Sequence, residues 1–388
     1  MSDSPVEQVS LRQIHLHLTG GCSLACRHCW VQPEPGGNGK RTQFLPLLSG
    51  LQAIHEAIPL GLRSVRLNGG DSLFHPELDG LLDRLESLEL PIQIETNGTG
   101  LTPQRVSHLE RLPQSTVYIP LDGADAVTHD SYASHPGSFE YATRAVRILA
   151  SAGLAVQVVF SVRRRNATQI PSLVRLVEEL GGKSIRFILL QSEIIHLSRN
   201  GNGNGNGNGN GHHLNSSTSR EMKFPYPDTF RVEELIALSR RIERELAYTT
   251  RVHLIFDQPP AFRGLHPKAR FEETERCGIL NSLSVTPGGE YTLCGLSQSL
   301  PGLALGKAGE ASLAEVWTGH PTLQMLRDGL PERLQGVCER CTLKQTCLGN
   351  CVIENKLRTG SFWGPDWFCE AADRVGLFPA GRLIENTW

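Results

Sequence analysis

The chain lacks a charge imbalance. Its 38 Lys and Arg residues against 40 Asp and Glu leave a formal charge of −2 and a pI near 6.7. That excludes the electrostatic footprint expected of a protein that holds nucleic acid or an anionic membrane. The longest basic run, Arg163-Arg164-Arg165, reads as a solvated loop edge rather than a phosphate clamp. No apolar run approaches the ~18 residues a membrane helix needs. The N-terminus, MSDSPVEQVSL, has no charged segment followed by an apolar one, so no secretory signal is expected. These absences place the chain in the cytoplasm, with no membrane and no nucleic acid as partner. Cysteine, too, is missing from the 247 residues between Cys29 and Cys277.

The ten cysteines that are present stand in two islands. Cys22, Cys26 and Cys29 fall in TGGCSLACRHCW, and Cys277, Cys294, Cys338, Cys341, Cys347, Cys351 and Cys369 crowd the last 112 residues. A structural thiol is a small buried hydrophobe that can sit anywhere in a core. Clusters at short spacing require several sulfurs to converge on one object. Without export, they argue against a disulfide framework and for metal or redox use.

At 388 residues and 39% hydrophobic content the chain has material for roughly two or three domains. From residue 11 to about 190 short apolar runs alternate with helical stretches. RQIHLHLTG, SVRLNGG, PIQIETNG, STVYIPLDG, AVQVVFSV and SIRFILLQ read as strands of a parallel sheet. Helices are predicted near 44–59, 76–89, 103–112, 138–152 and 168–181. Right-handed βα units follow, and active residues belong at the strand C-termini. Asn68-Gly69-Gly70-Asp71, Glu95-Thr96-Asn97-Gly98 and Asp122-Gly123 lie at that edge. Residues 200–211 are a perfect Asn-Gly repeat, which cannot bury apolar area and reads as a tether. Helical pattern returns at 229–247, followed by an apolar run at 251–256.

Cys22-x3-Cys26-x2-Cys29 offers three thiolates from the loop after the first strand. A structural zinc ion would require a fourth ligand from elsewhere, and a disulfide would leave one thiol over. A [4Fe–4S] cluster on three cysteines keeps one iron open for a ligand. The loop, LNGGDSLFHPEL after strand two, ETNGTGL after strand three and LDGADAVTHD after strand four together resemble the radical S-adenosylmethionine (SAM) superfamily over residues 11–195. The resemblance implies a partial (β/α)6 TIM-type barrel. It implies also a cluster whose unique iron is chelated by SAM, and reductive cleavage of SAM to a 5′-deoxyadenosyl radical that abstracts hydrogen. It points to His28, Gly69, Gly70, Asp71, Thr96, Asn97 and Asp122 as cofactor contacts. Asp71-Ser72 stands where the family usually has Glu-Pro, and Pro120 where many relatives have Ser. HDSYASHPGSF lacks the Arg often found after His-Asp, which leaves Ser161 and Arg163 as candidates for the SAM carboxylate. Each of these polar residues, taken alone, could equally be a strand cap.

The tail spacing, Cys277-x16-Cys294, Cys338-x2-Cys341-x5-Cys347-x3-Cys351 and Cys369, is similar to the SPASM extension of peptide-modifying relatives. A pair of zinc knuckles is the plainer alternative, for which seven cysteines are an awkward number. The resemblance implies two auxiliary [4Fe–4S] clusters, three clusters in all. One takes Cys338, Cys341, Cys347 and Cys369. The other takes Cys277, Cys294 and Cys351, with an open or non-cysteine fourth position. The expected division is a barrel core at 11–195, a disordered insertion at 196–228, the last barrel helix and a bridging region at 229–276, and SPASM at 277–378.

The resemblance carries a reaction class: maturation of a ribosomally made precursor peptide. Sulfatase formylglycine maturation is the alternative, weakened because Gly295 stands where those enzymes have an aspartate. A non-enzymatic Fe–S or zinc scaffold is a third reading, weakened by the complete barrel pattern. Cross-linking or thioether formation remain open, and GCSLACRHCW resembles the spliceases that excise a tyramine unit. About ten residues precede strand one, so a separate leader-recognition protein is expected, with a reductant such as flavodoxin or ferredoxin. No acid–base residue is assigned; Asp257, Tyr291 and Glu354 are polar candidates with structural readings beside the functional one.

Overall fold

A computed structural model describes residues 9–29, 31, 42–189, 228–263, 277–300 and 302–384. The Asn-Gly repeat and most of the 196–228 insertion lie outside these. All six predicted strands are present: β1 (Gln13–Thr19), β2 (Ser64–Gly69), β3 (Ile92–Glu95), β4 (Thr116–Pro120), β5 (Ala155–Ser161) and β6 (Ser184–Ile188). The apolar run near 251 supplies a seventh, β7 (His253–Phe256), and each strand pairs in parallel with the next.

Along each strand the side chains alternate. Ile14, Leu16, Val65, Leu67, Ile94, Val117, Ile119, Val158 and Phe187 are fully buried on one face, where the helices pack. The helices are α1 (Leu47–Ala57), α2 (Leu78–Ser87), α3 (Pro103–Arg111), α4 (Ala126–Ala133), α5 (Ser138–Ser151), α6 (Ile170–Glu179) and α7 (Val232–Glu245). Gly50 of α1 stands where an added Cβ would lie 3.5 Å from Leu16 Cδ1, so this helix rests directly on β1. Each such buried aliphatic side chain contributes about 1.5–3 kcal/mol. The opposite face is polar and partly open: Arg66 and Glu95 form an ion pair there, and the Glu95 side chain is 40% exposed.

Helix α4 was not expected from LDGADAVTHD. It is fixed by its ends rather than by an apolar stripe. Asp125 accepts from Thr128 N at 2.8 Å, a side-chain N-cap, and Asp130 gathers Gly137 N, Ser138 Oγ and Phe139 N at the turn into α5.

The cysteine-rich tail continues the same sheet. β8 (Ser282–Val285) pairs in parallel with β1, β9 (Glu290–Thr292) runs antiparallel to β8, and β10 (Gly306–Lys307) antiparallel to β9. The strand order is thus β10-β9-β8-β1-β2-β3-β4-β5-β6-β7. Beyond it lie α8 (Leu313–Gly319), α9 (Pro321–Gly329), α10 (Lys344–Cys347), α11 (Val352–Thr359) and α12 (Trp367–Arg374). No helix among the described residues is long and apolar enough to cross a membrane.

Candidate functional site

The parallel strands deliver their loops to one end of the sheet. The loop after β1 carries Cys22, Cys26 and Cys29, and it is braced from three sides. Gly70 N donates to Thr19 O at 2.7 Å and Asp71 N to Gly21 O at 3.0 Å. A Cβ on Gly70 would fall 2.0 Å from Gly21 O, and one on Gly69 (φ +125°) 2.5 Å from Thr19 O. Only glycine allows this backbone approach. From α4, Tyr132 O accepts from Arg27 N at 3.0 Å, and Ala133 packs on Cys22, Leu24 and Cys26. From the loop after β3, the Asn97 amide donates to Cys22 Sγ at 3.5 Å and to Ser23 Oγ at 3.3 Å.

Asp71 ties the second and third loops together. Its Oδ1 accepts from Thr96 Oγ1 at 2.8 Å and Leu73 N at 2.9 Å, and its Oδ2 from Asn97 N at 3.0 Å. Burial raises its carboxyl above the ordinary value, against those donors. Thr96 and Asp71 therefore spend their polar groups on each other, and Asn97 faces the cysteine loop.

A second group stands after β4 and β5. His28 Nε2 lies 3.4 Å from Asp122 Oδ2 and 3.4 Å from Ser161 Oγ, while its buried Nδ1 has no hydrogen-bond partner. Asp122 Oδ1 accepts from Ser161 N at 2.7 Å. Sequence reasoning missed the residue that holds this group. Asn166, fully buried, donates to Asp122 O at 3.0 Å and Ser161 O at 2.9 Å and accepts from Arg163 N at 2.8 Å. Its signal was only an Asn closing the basic run. Arg163 is 7% exposed. Burial lowers its pKa, opposed by Asp228, Tyr132 and Asp122 nearby. Tyr132 donates to Asp228 Oδ2 at 2.9 Å, and burial followed by that carboxylate pushes the phenol up.

The tail thiols separate into two sets. Cys338, Cys341, Cys347 and Cys369 wall one cavity together with Pro259 and Phe378. Cys277, Cys294 and Cys351 form the other: the Cys351 sulfur feels Cys277 and Cys294, whereas Cys347 feels Cys338 and Cys341. Burial pushes Cys22, Cys338 and Cys347 up to about 12 and Cys277 to about 11, and raises Cys26, Cys294, Cys351 and Cys369 as well. As bare groups these are protonated thiols, which only a bound cation would convert to thiolates. Backbone N–H groups already point at the sulfurs: Leu24 at Cys22, Leu343 at Cys341 and Asp366 at Cys338, each at 3.4 Å. At the start of α11, Val352 N serves Cys277 and Glu354 N serves Cys351. Asp257 lies beside Cys277 and pairs with Arg186 at 3.1 Å. Glu354 lies beside Cys351, and Tyr291 is fully buried in the core.

Among the described residues no three His, Cys, Asp or Glu side chains close on a single ion. Sulfurs gathered in sets, with backbone N–H donors aimed at them, fit the body of an iron–sulfur cluster.

Residues 16–176 match the radical SAM superfamily, and residues 277–342 match SPASM, an iron-sulfur cluster-binding domain. An AdoMet-dependent heme synthase of Methanosarcina barkeri is 26% identical over 374 residues, covering 92% of this chain and 96% of the relative. A PqqA peptide cyclase of Methylocella silvestris is 24% identical over 382 residues, covering 97% and 93%. In architecture the chain resembles Streptococcus suis SuiB bound to precursor peptide SuiA, with a TM-score of 0.69 at 15% identity, over 94% of this chain and 76% of that one.

Proposed function

Since the chain belongs to the radical SAM superfamily and carries a SPASM domain, we propose that it matures a ribosomally made precursor peptide. The observation that carries this reading is the sorting of all ten cysteines into a loop of three, a set of four and a set of three. Cys22, Cys26 and Cys29 would hold the SAM-binding [4Fe–4S] cluster. Cys338, Cys341, Cys347 and Cys369 would hold one auxiliary cluster, and Cys277, Cys294 and Cys351 the other, with a fourth position that is open or not cysteine. Loaded with SAM and given one electron by a flavodoxin or ferredoxin, a cluster held by Cys22, Cys26 and Cys29 would supply reductive SAM cleavage and hydrogen-atom abstraction from substrate.

The chain's own residues prepare that chemistry. Gly69 and Gly70 let the second loop buttress the cysteine loop, with Asp71 and Thr96 locking the loops behind it. Asn97 stabilises negative charge on Cys22. His28, Asp122 and Ser161 form a hydrogen-bonding wall beside the loop, and Arg163, buried at the same end of the sheet, would pair with the SAM carboxylate. A charge-assisted bond of this kind contributes about 1.5–3 kcal/mol. Arg163→Ala should therefore weaken SAM binding roughly 10- to 100-fold, and an unchanged SAM affinity removes the assignment.

The peptide class is supported by the likeness to the PqqA peptide cyclase and to SuiB with its precursor peptide. Within it, the finer reading is excision of a tyramine unit, with cross-linking as the alternative, and a separate protein recognising the leader. The likeness to the heme synthase favours a tetrapyrrole as a second substrate class. Anaerobic, reconstituted protein with SAM, reductant and the peptide encoded beside its gene tests these together. Release of 5′-deoxyadenosine with loss of tyramine mass supports splicing, and loss of two hydrogens supports a cross-link. Turnover of a tetrapyrrole but not of the peptide moves the reading to the second class. Absence of 5′-deoxyadenosine with every substrate overturns the radical reading.

A further inference from the structure

Three adjacent strands carry a polar strip that the chemistry above does not use. On β8, β1 and β2 the buried residues Leu283, Val285, Ile14, Leu16, Val65 and Leu67 point toward the helices. Leu16 sits in register with Leu67 on one side and Val285 on the other. Alternation then puts Ser284, His15, His17 and Asn68 together on the opposite face. The ladders set Ser284 beside His15 and His17 beside Asn68.

Two atoms of this strip are buried without a hydrogen-bond partner, Ser284 Oγ and Asn68 Oδ1, in residues 1% and 7% exposed. Native folds seldom leave such groups unpaired unless something else meets them. The strip stands directly beneath the reactive end: Asn68 precedes Gly69-Gly70, and His17 lies five residues before Cys22. Its chemistry is selective. Asn68 presents an amide oxygen, which requires a donor. Burial lowers the pKa of His15 and His17, with Arg66 acting in the same sense and Glu95 opposing at His17, so neither brings a positive charge, and His15 Nε2 is held by Gln13 Oε1 at 2.7 Å. The cation beside this strip, Arg66, is already paired with Glu95 and stacked 5.0 Å from the Tyr118 ring. A carboxylate brought here would meet Asn68 Oδ1 and Glu95.

We propose that this strip is a substrate subsite which seats an uncharged, hydrogen-donating side chain (a phenol, alcohol or carboxamide), with Asn68 and Ser284 making the direct contacts. The inference rests on the peptide reading above and specifies which residue type that peptide presents.

The test uses reconstituted holoprotein with SAM and four capped amino acids as probes: N-acetyl-tyrosinamide, N-acetyl-glutaminamide, N-acetyl-phenylalaninamide and the α-amide of N-acetyl-glutamate. Binding is read by ligand-observed NMR. The tyrosine probe should bind at least tenfold more tightly than the phenylalanine probe, and the glutamine probe more tightly than the glutamate probe. Asn68→Leu should bring both ratios toward one without lowering the melting temperature, because it removes an unpaired buried acceptor. Ser284→Ala should reduce the ratios in the same direction, and it carries the test if Asn68→Leu does not fold. Equal binding of the tyrosine and phenylalanine probes to the parent protein overturns the subsite, as do ratios that both variants leave unchanged. 5′-Deoxyadenosine is measured on the same samples. Protein that discriminates the probes but cleaves no SAM sinks the radical reading and keeps the subsite. Protein that cleaves SAM but does not discriminate sinks the subsite alone.

Discussion

The side-chain amide of Asn97 reaches the Cys22 sulfur at 3.5 Å, so the loop after β3 touches the loop after β1 with β2 lying between them. A donor aimed at a cluster sulfur stabilises the more negative, reduced form. Asn97→Leu should shift the potential of the cluster on Cys22 in the negative direction, measured by redox titration followed by EPR. About 1 kcal/mol of stability should go with the lost hydrogen bond. An unchanged potential would show that this contact does not tune the sulfur.

Gly70→Ala forces a methyl group against the Gly21 carbonyl, 2.0 Å away. The displaced element is the cysteine loop itself. Reconstituted protein should lose about four irons relative to the parent, one cluster's worth, while signals from the tail persist. Full iron content in the variant would mean that the two loops do not need this approach.

The grouping of tail thiols gives a crossing test. Cys351→Ala should abolish the same EPR signal as Cys277→Ala and Cys294→Ala. Cys347→Ala, only four residues earlier in the chain, should abolish the signal lost in Cys338→Ala and Cys369→Ala. If Cys351 and Cys347 share a signal, the partition is wrong.

His17 supplies a pH dependence. Burial holds its imidazole at about 4 in the fold, against about 6.5 when the chain unfolds. Between those values the unfolded state binds more protons, so stability rises with pH and is lost on acidification. From pH 7.5 to 5.5 this one group removes on the order of 1 kcal/mol. His15, lowered for the same principal reason, adds to the loss. Thermal melts of His17→Gln should show a shallower decline over that range; an identical slope would mean His17 is solvated.

The sequence made the strands legible because a parallel sheet covered by helices requires near-continuous apolar runs, and Val65, Ile94 or Val158 advertise them. The ends of those strands were legible for the same reason, and with them the neighbourhood of Cys22, Asp71, Asn97 and Asp122. Other features had no local signature. Helix α4, AVTHDSYA, has no apolar stripe and exists through caps at Asp125 and Asp130. Asp71 reads as a ligand in the string, yet its oxygens are taken by donors up to 26 residues away. Asn166 acquires its role only when β4 and β5 stand side by side. Spacing would assign Cys351 to its neighbour Cys347. Resemblance alone suggested otherwise, and the folded chain sets Cys351 with residues as far back as Cys277.

β8 has a consequence for how the chain can be shortened or swapped. Because it hydrogen-bonds to β1, the strand that presents the cysteine loop is an interior member of the sheet rather than its boundary. A fragment ending before Cys277 would bare the N–H and C=O groups of β1 from Gln13 to Leu16, a template for pairing with another copy. Such a fragment should therefore self-associate instead of behaving as a smaller version of the whole. The two cysteine-bearing regions are then held together as one ladder, and not as interchangeable parts joined by a tether.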